Sequence, residues 1–407
     1  MKRTPNILWL LIAVMNICLH VSVYADDPDL SNWQAIEDQA QGQTVYFNAF
    51  GGETRINRYL TWVASEVKSR YRIDLQHVKI ADTAQAVSRV IAEKQAGNDY
   101  NGAVDLLWIN GENFSALKDN GLLYGPWVEL QPNFALVDAD KNPEMREDFT
   151  ITTDGLESPW TRSQLVFYYD SELLKTPPNS IREILAWADE NPSEFSYPRP
   201  PAFLGSTFLK QALLELAIVK TPLYLPVDDS DFQSVTAPLW KYLDALHPKL
   251  LRAGRYFPSG AAELRRSMAD SEISLAFSFN PNEAALGIAN GELPASTRSY
   301  VLQEGTISNV SFVAIPFNAQ HKAAAMVVSN FLLSAQAQAR GSDPEYLGST
   351  TVLSLERLSI QDQKFFQQLD LGPAAPTNDD LSRKLQEPHP SWMGALEEAW
   401  IQRYSAR

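Results

Sequence analysis

Few side chains in this 407-residue chain could make or break a covalent bond, and that narrows its chemistry. It has one cysteine, Cys18, and five histidines. His20 and Cys18 fall in an N-terminal apolar stretch. His77 sits in an alternating, strand-like run, His247 precedes a proline, His389 lies between two prolines, and His321 opens a helical pattern. A serine or cysteine nucleophile needs a base held beside it, and no G-x-S-x-G or H-E-x-x-H pattern supplies one. No two histidines share a zinc-ligand spacing. The chemistry that remains is recognition. Asn48-Ala49-Phe50-Gly51-Gly52 joins amide, aromatic and glycine residues. Asn110-Gly111-Glu112-Asn113, directly after Trp108, adds amides and a carboxylate. Gly51 and Gly52 either permit a tight turn or let a ligand approach the backbone N–H groups of the next helix. Asn110 to Asn113 either caps a helix or reads a ligand, and Trp108 is either core or platform.

The elements around these segments would place them together. Thr44–Phe47 reads as a strand leading into the first loop. A helix follows from about Glu53, with Ile56, Leu60, Val63 and Val67 on one face. Ile73–Val78 alternates as a strand, and Ala84–Gln95 is helical and ends at Gly97. Val104–Ile109 is a third strand that breaks at Asn110. Alternation of strand and helix predicts a largely parallel α/β sheet. Ligands of such sheets sit beyond the carboxyl ends of the strands, where both loops fall.

Composition sets the setting. Lys2 and Arg3, an apolar run over Ile7–Val23, and the small residue Ala25 form the three-part pattern of a signal peptide, which predicts export and cleavage after Ala25. The run is short and interrupted for a membrane anchor, and Met15-Asn16-Ile17 lacks the small residues of a lipoprotein site before Cys18. The mature chain would then hold no cysteine, which excludes disulfides, thiolate metal sites and a cysteine nucleophile. Formal net charge is −15, and −17 without Lys2 and Arg3. That acidity disfavours nucleic acid as a partner. About 380 mature residues exceed one ordinary core and predict two lobes. There are proline-rich breaks at Lys175–Asn179 and Tyr197–Pro201. Repeats, which an adhesion module would show, are not evident.

The succession YFNAFGG, ADTAQAV, DLLWINGENF, GLLYGPW, SPWTRSQLVFYYD and SNVSFVAIPFNAQHKAAAMVVSNFLLS resembles the periplasmic solute-binding proteins of ABC importers. It is most similar to the class that includes thiamine, polyamine and ferric-ion binding proteins. The resemblance covers essentially the whole mature chain. It implies a two-lobed type II periplasmic binding fold with two crossover strands as hinge, near Ser158–Phe167 and Gly305–Phe312. Lobe one would be residues 26–157 with 311–345, lobe two 158–310, and residues 346–407 would form C-terminal helices packing across both. The implied activity is capture of a small polar solute by lobe closure and its delivery to an inner-membrane permease pair. The implied protein is a periplasmic monomer without cofactor or metal. The same fold hosts thiamine-degrading enzymes with a cysteine nucleophile, which the mature chain would lack.

The resemblance also implies the ligand-reading positions. They are Asn48, Phe50, Gly51 and Gly52; Asn110, Gly111 and Glu112; Trp160 at the first hinge; and Ser206 and Thr207 at a helix start, where plain N-capping is an equal reading. Phe279 and Asn280 follow a strand of the second lobe, and Asn309 and Ser311 lie on the second crossover. Glu112 would meet an ammonium or a stacked cation. Tyr168 and Tyr169 share a strand and should face opposite sides, unlike the paired tyrosines of a ferric site. Carboxylates look sparse in the expected cleft, which weakens a strict polyamine reading, while aromatic faces and amides suit sugars too, so the ligand stays open.

Overall fold

The computed structural model describes residues 27–405. The expected signal peptide, Cys18 and the cleavage after Ala25 lie outside the described residues. β1 (Thr44–Phe50) pairs in parallel with β2 (Asp74–Ile80) and β3 (Leu106–Ile109). β4 (Glu147–Asp148) and β5 (Ile151–Thr152) form a short hairpin. β6 (Glu157–Gln164) and β7 (Val166–Asp170) run on from it; β8 (Leu275–Ser278), β9 (Thr297–Tyr300), β10 (Thr306–Ala314) and β11 (Lys384–Leu385) complete the set. The main sheet has the order β11-β10-β3-β1-β2, with β6 also on β10, while β8-β7-β9 forms a separate antiparallel sheet.

The parallel part agrees with the sequence reading, but β1 is longer than expected. Pairing with β2 continues to Phe50 opposite Ile80, so Asn48 and Phe50 are strand residues rather than loop residues. The turn shrinks to residues 51–53. The next helix is Thr54–Tyr71, and Tyr59, Leu60, Val63 and Val67 form its buried face. Asp82 caps the helix Thr83–Gln95 by accepting from the Ala84 N–H at 2.8 Å.

Apolar side chains gather into two cores. One collects Phe47, Leu107, Phe114, Trp160, Phe312 and the helix Lys322–Leu332. The other collects Leu165, Phe167, Phe208, Phe277 and Ile307 with residues of several helices. β6 and β10 cross from one core to the other as an antiparallel pair, with a register shift at Ser311/Phe312. Trp160 and Phe312 end in the first core while Leu165 and Ile307, a few residues away, belong to the second. The backbone between them is where a hinge bends with least disturbance of packing. β11 adds in parallel to the second-core end of β10. The C-terminal segment divides its contacts. Phe366 packs on the first core, whereas Trp392, Leu396 and Trp400 of the helix Ser391–Tyr404 are buried in the second.

Candidate functional site

The gap between the two cores has two facing zones. In one, the turn after β1 meets the end of β8. Glu283 stands between Arg265 of its own lobe and Arg55 of the first-lobe helix, whose Nη2 lies 3.4 Å away. Asn280 and Asn282 donate to the Leu347 and Gly348 carbonyls at 3.1 and 2.7 Å. In the other zone, the Asn110–Glu112 loop and Asp82 of the first lobe face the helices Phe203–Leu216 and Ser391–Tyr404 of the second.

Three carboxylates dominate the second zone. Glu112 opens the helix Glu112–Asp119. Solvent reaches it, yet protein encloses its carboxyl on several sides, and this loss of water holds its pKa above the ordinary carboxylate value. Glu397 and Asp82 push it the same way, and Lys210 opposes them. Glu397 is likewise raised, first by burial, against its hydrogen bond from the Ser206 hydroxyl and the pull of Lys210. Lys210 is not a free cation. Its ammonium lies 2.6 Å from Glu387, and both side chains are only 2 % exposed. The net field in this zone is therefore negative.

The structure distributes the expected residues unevenly. Asn110 Nδ2 reaches the Ser311 hydroxyl at 3.4 Å, joining the loop after β3 to the hinge strand. Asn48 is buried, and its amide nitrogen has no protein partner. Gly111 donates its N–H to Asp148 at 2.6 Å. Phe279 packs edge-on against Phe203 at 5.2 Å, an aromatic corner beside the Ser206 helix turn. Asn309 donates to Glu387 at 3.0 Å, so its amide is already engaged, as is that of Asn280.

Other positions serve the fold. A Cβ at Gly51 would fall 2.5 Å from Lys79, and one at Gly52 2.4 Å from the Phe50 ring, so both glycines are demanded by the turn. Trp160 is fully enclosed, 4.7 Å from Trp108 and 5.6 Å from Phe47, which makes it a pillar of the first core beneath the hinge. Thr207 donates back to the Phe203 carbonyl at 2.8 Å. Neither Ser206 nor Thr207 is an N-cap, because that helix already starts at Phe203 and Ala202 precedes it.

Sequence reasoning missed Glu397, Lys210, Glu387 and Asp148. Their neighbours in space are far off along the chain, and none sits in a motif. The expectation of sparse carboxylates is thereby corrected, since Glu397 comes in on a C-terminal helix. Among the described residues, no group of three or more His, Cys, Asp or Glu could hold a metal ion, and no helix is long and apolar enough to cross a membrane.

Comparison with known proteins gives a consistent result. Residues 62–366 match the family described as bacterial extracellular solute-binding protein. Protein YnjB of Escherichia coli K12 is 44 % identical over 384 residues, covering 94 % of this chain and 97 % of its own. Among solved structures, AfuA of Actinobacillus pleuropneumoniae, a periplasmic binding protein with fructose-6-phosphate bound, superposes with a TM-score of 0.60 at 14 % identity, covering 90 % of this chain and 99 % of its own. The TpPotD lipoprotein of Treponema pallidum gives 0.62 at 14 %, covering 88 % and 98 %. An ABC transporter substrate-binding protein of Bradyrhizobium japonicum gives 0.63 at 16 %, covering 88 % and 99 %.

Proposed function

The chain belongs to the bacterial extracellular solute-binding proteins, and we propose that it is the substrate-binding component of an ABC importer whose solute is a small cation held between the lobes by Glu112 and Glu397. What supports this reading is that Glu112 of the first lobe and Glu397, bonded to Ser206 of the second, lie within electrostatic reach around the Phe149–Lys210 contact, with Asp82 acting on both and Lys210 already neutralised by Glu387. Each carboxyl is raised by burial and by its neighbours, and an incoming positive charge relieves both penalties. A cation touching both lobes makes contacts that exist only when they are together, which is the condition for a ligand to drive closure. A sugar phosphate such as the one in AfuA would meet like charge here.

Around the charged pair, Asn110, Ser311, Ser206 and the unpartnered Asn48 amide supply hydrogen bonds, and Phe203 with Phe279 supplies an apolar corner. The expected lobe boundaries at 157/158 and 310/311 shift into the crossing strands, because Trp160 and Val310 pack in the first core; residues 27–160 with 310–345 move as one lobe against 165–307. The protein acts as a non-enzymatic monomer in the periplasm after cleavage at Ala25, and its closed form delivers the solute to a permease pair. Native mass spectrometry of protein purified from periplasm, followed by denaturing release, tests the proposal. A bound amine, amidine or quaternary nitrogen compound at one per chain is the expected result. An anionic or uncharged solute at that stoichiometry would sink it.

A further inference from the structure

The β4–β5 hairpin is built in an unusual way. Glu147 pairs with Thr152 and Asp148 with Ile151, leaving Phe149 and Thr150 as a two-residue loop. Their φ angles are 45° and 76°. Positive φ at both central positions is the type I′ arrangement, which ordinarily takes Asn-Gly. An aromatic followed by a β-branched residue is strained there, and such strain persists only where surroundings over-determine it.

Those surroundings come from both lobes. Phe149 is 7 % exposed, yet it belongs to neither hydrophobic core. On the first-lobe side its ring lies against Gly111, where a Cβ would come within 3.0 Å of it. On the second-lobe side the Lys210 ammonium sits 5.0 Å from the ring centroid. That ammonium is fixed from behind by Glu387, which Asn309 of the hinge strand holds in turn. Beside the tip lies a cavity of about 270 Å³ with walls from Glu144 and the hairpin residues Glu147–Thr150, the hinge residues Arg162 and Ser308–Val310, and Lys384–Glu387. The Glu144–Lys384 and Glu147–Gln386 contacts, at 2.9 and 3.3 Å, and an Arg162–Glu144 bond at 2.9 Å also tie its walls together.

We propose that Phe149, presented by the strained hairpin tip, is an interlobe latch: it docks on Lys210 when the lobes close and presses on Gly111, so that closure sets the position of the Asn110–Glu112 ligand loop. The ring is held between Gly111 of its own lobe and Lys210 of the other. Lys210, already charge-paired and dry, offers an ammonium whose attraction to an aromatic face is stronger than at an exposed site. Parting the lobes wets both groups at once and frees the loop.

The test needs no ligand. Asn101→Cys in the first lobe and Ile218→Cys in the second give two labelling sites in a mature chain with no cysteine of its own. Single-molecule energy transfer then reads the ratio of closed to open molecules. Phe149→Leu, which keeps bulk and loses the π face, should lower that ratio about fivefold, while Phe149→Tyr stays within twofold of the parent. Thr150→Gly, which relieves strain and leaves the ring, should not lower it. Equal ratios for Phe149→Leu and the parent would overturn the latch. So would a fall in Thr150→Gly matching that of Phe149→Leu, since the hairpin backbone rather than the ring contact would then be responsible.

Discussion

Replacing Lys210 by methionine isolates one charge in a place where water cannot reach it. Lys210 and Glu387 lie 2.6 Å apart, each 2 % exposed. After Lys210→Met, Glu387 keeps only the Asn309 amide, 3.0 Å away, as a donor among those described. Removing one partner of a buried ion pair costs about 3–5 kcal/mol, because the remaining charge is left uncompensated. Replacing both by apolar side chains of similar volume is often neutral or stabilising. The expected order is therefore non-monotonic: Lys210→Met loses about 3–5 kcal/mol, and Lys210→Met/Glu387→Met recovers to within about 1 kcal/mol of the parent. Urea unfolding followed by tryptophan fluorescence and circular dichroism measures this, both probes being needed because two lobes can unfold separately. A single variant costing less than about 1 kcal/mol would show that the pair is solvated. A double variant as unstable as the sum of the two singles would show that the charges do not interact, and either result defeats the reasoning.

Asp148 and Glu157 are buried carboxyls held well above the usual range, first by burial; Glu112 and Glu387 then push Asp148 up further, and Asp148 does the same to Glu157. They bind protons more tightly folded than unfolded, so their contribution is favourable at low pH and is lost as pH climbs toward their raised values. Glu157→Gln should raise the melting temperature at pH 8 by about 1–3 °C and by less at pH 4.5 in calorimetry; an equal gain at both pH values would refute it. Trp160→Ala should cost about 3–5 kcal/mol and lower the melting temperature markedly. Loss of ligand affinity at unchanged stability would instead place that ring in the site. Glu112→Gln and Glu397→Gln should each weaken a cationic solute about tenfold by isothermal calorimetry. Affinity of the parent should decline as pH falls, starting above the ordinary carboxylate range because both groups are raised; affinity independent of pH between 4.5 and 7.5 would count against the carboxylate pair.

What the sequence discloses follows from how local each signal is. The parallel β1–β3 frame is written in short apolar runs with clear periodicity, and the structure holds it within a few residues of expectation; the crossing strands come from the family resemblance, since β6 (ESPWTRSQ) carries no apolar period of its own. The Asn110–Glu112 loop is legible because a strand stops there and a helix starts. The end of β1 is not, because Asn48 and Phe50 remain in the sheet through pairing with Val78 and Ile80, which no propensity encodes. Trp160 looked like a ligand face from its place beside the hinge, but depth beneath Phe47 and Trp108 is a tertiary property. Lys210 and Glu387 are 177 residues apart and read as ordinary helix and loop charges until the chain folds. The Phe149–Thr150 tip carries no turn signature, since its conformation is held against propensity by contacts from both lobes.

The order in which the hinge is assembled has a consequence for biogenesis. β11 supplies its third strand, Glu387 supplies the counter-charge for Lys210, and Trp392, Leu396 and Trp400 fill the second core, all from the last residues of the chain. A polypeptide threaded through a membrane pore amino end first delivers these pieces last. Until they emerge, the second lobe holds an unpaired buried lysine and holes the size of indole rings, so it cannot lock. The nearly exported chain stays loose and open to chaperones and proteases, and a stop codon a few dozen residues early would be as damaging as a deletion from the centre of the core.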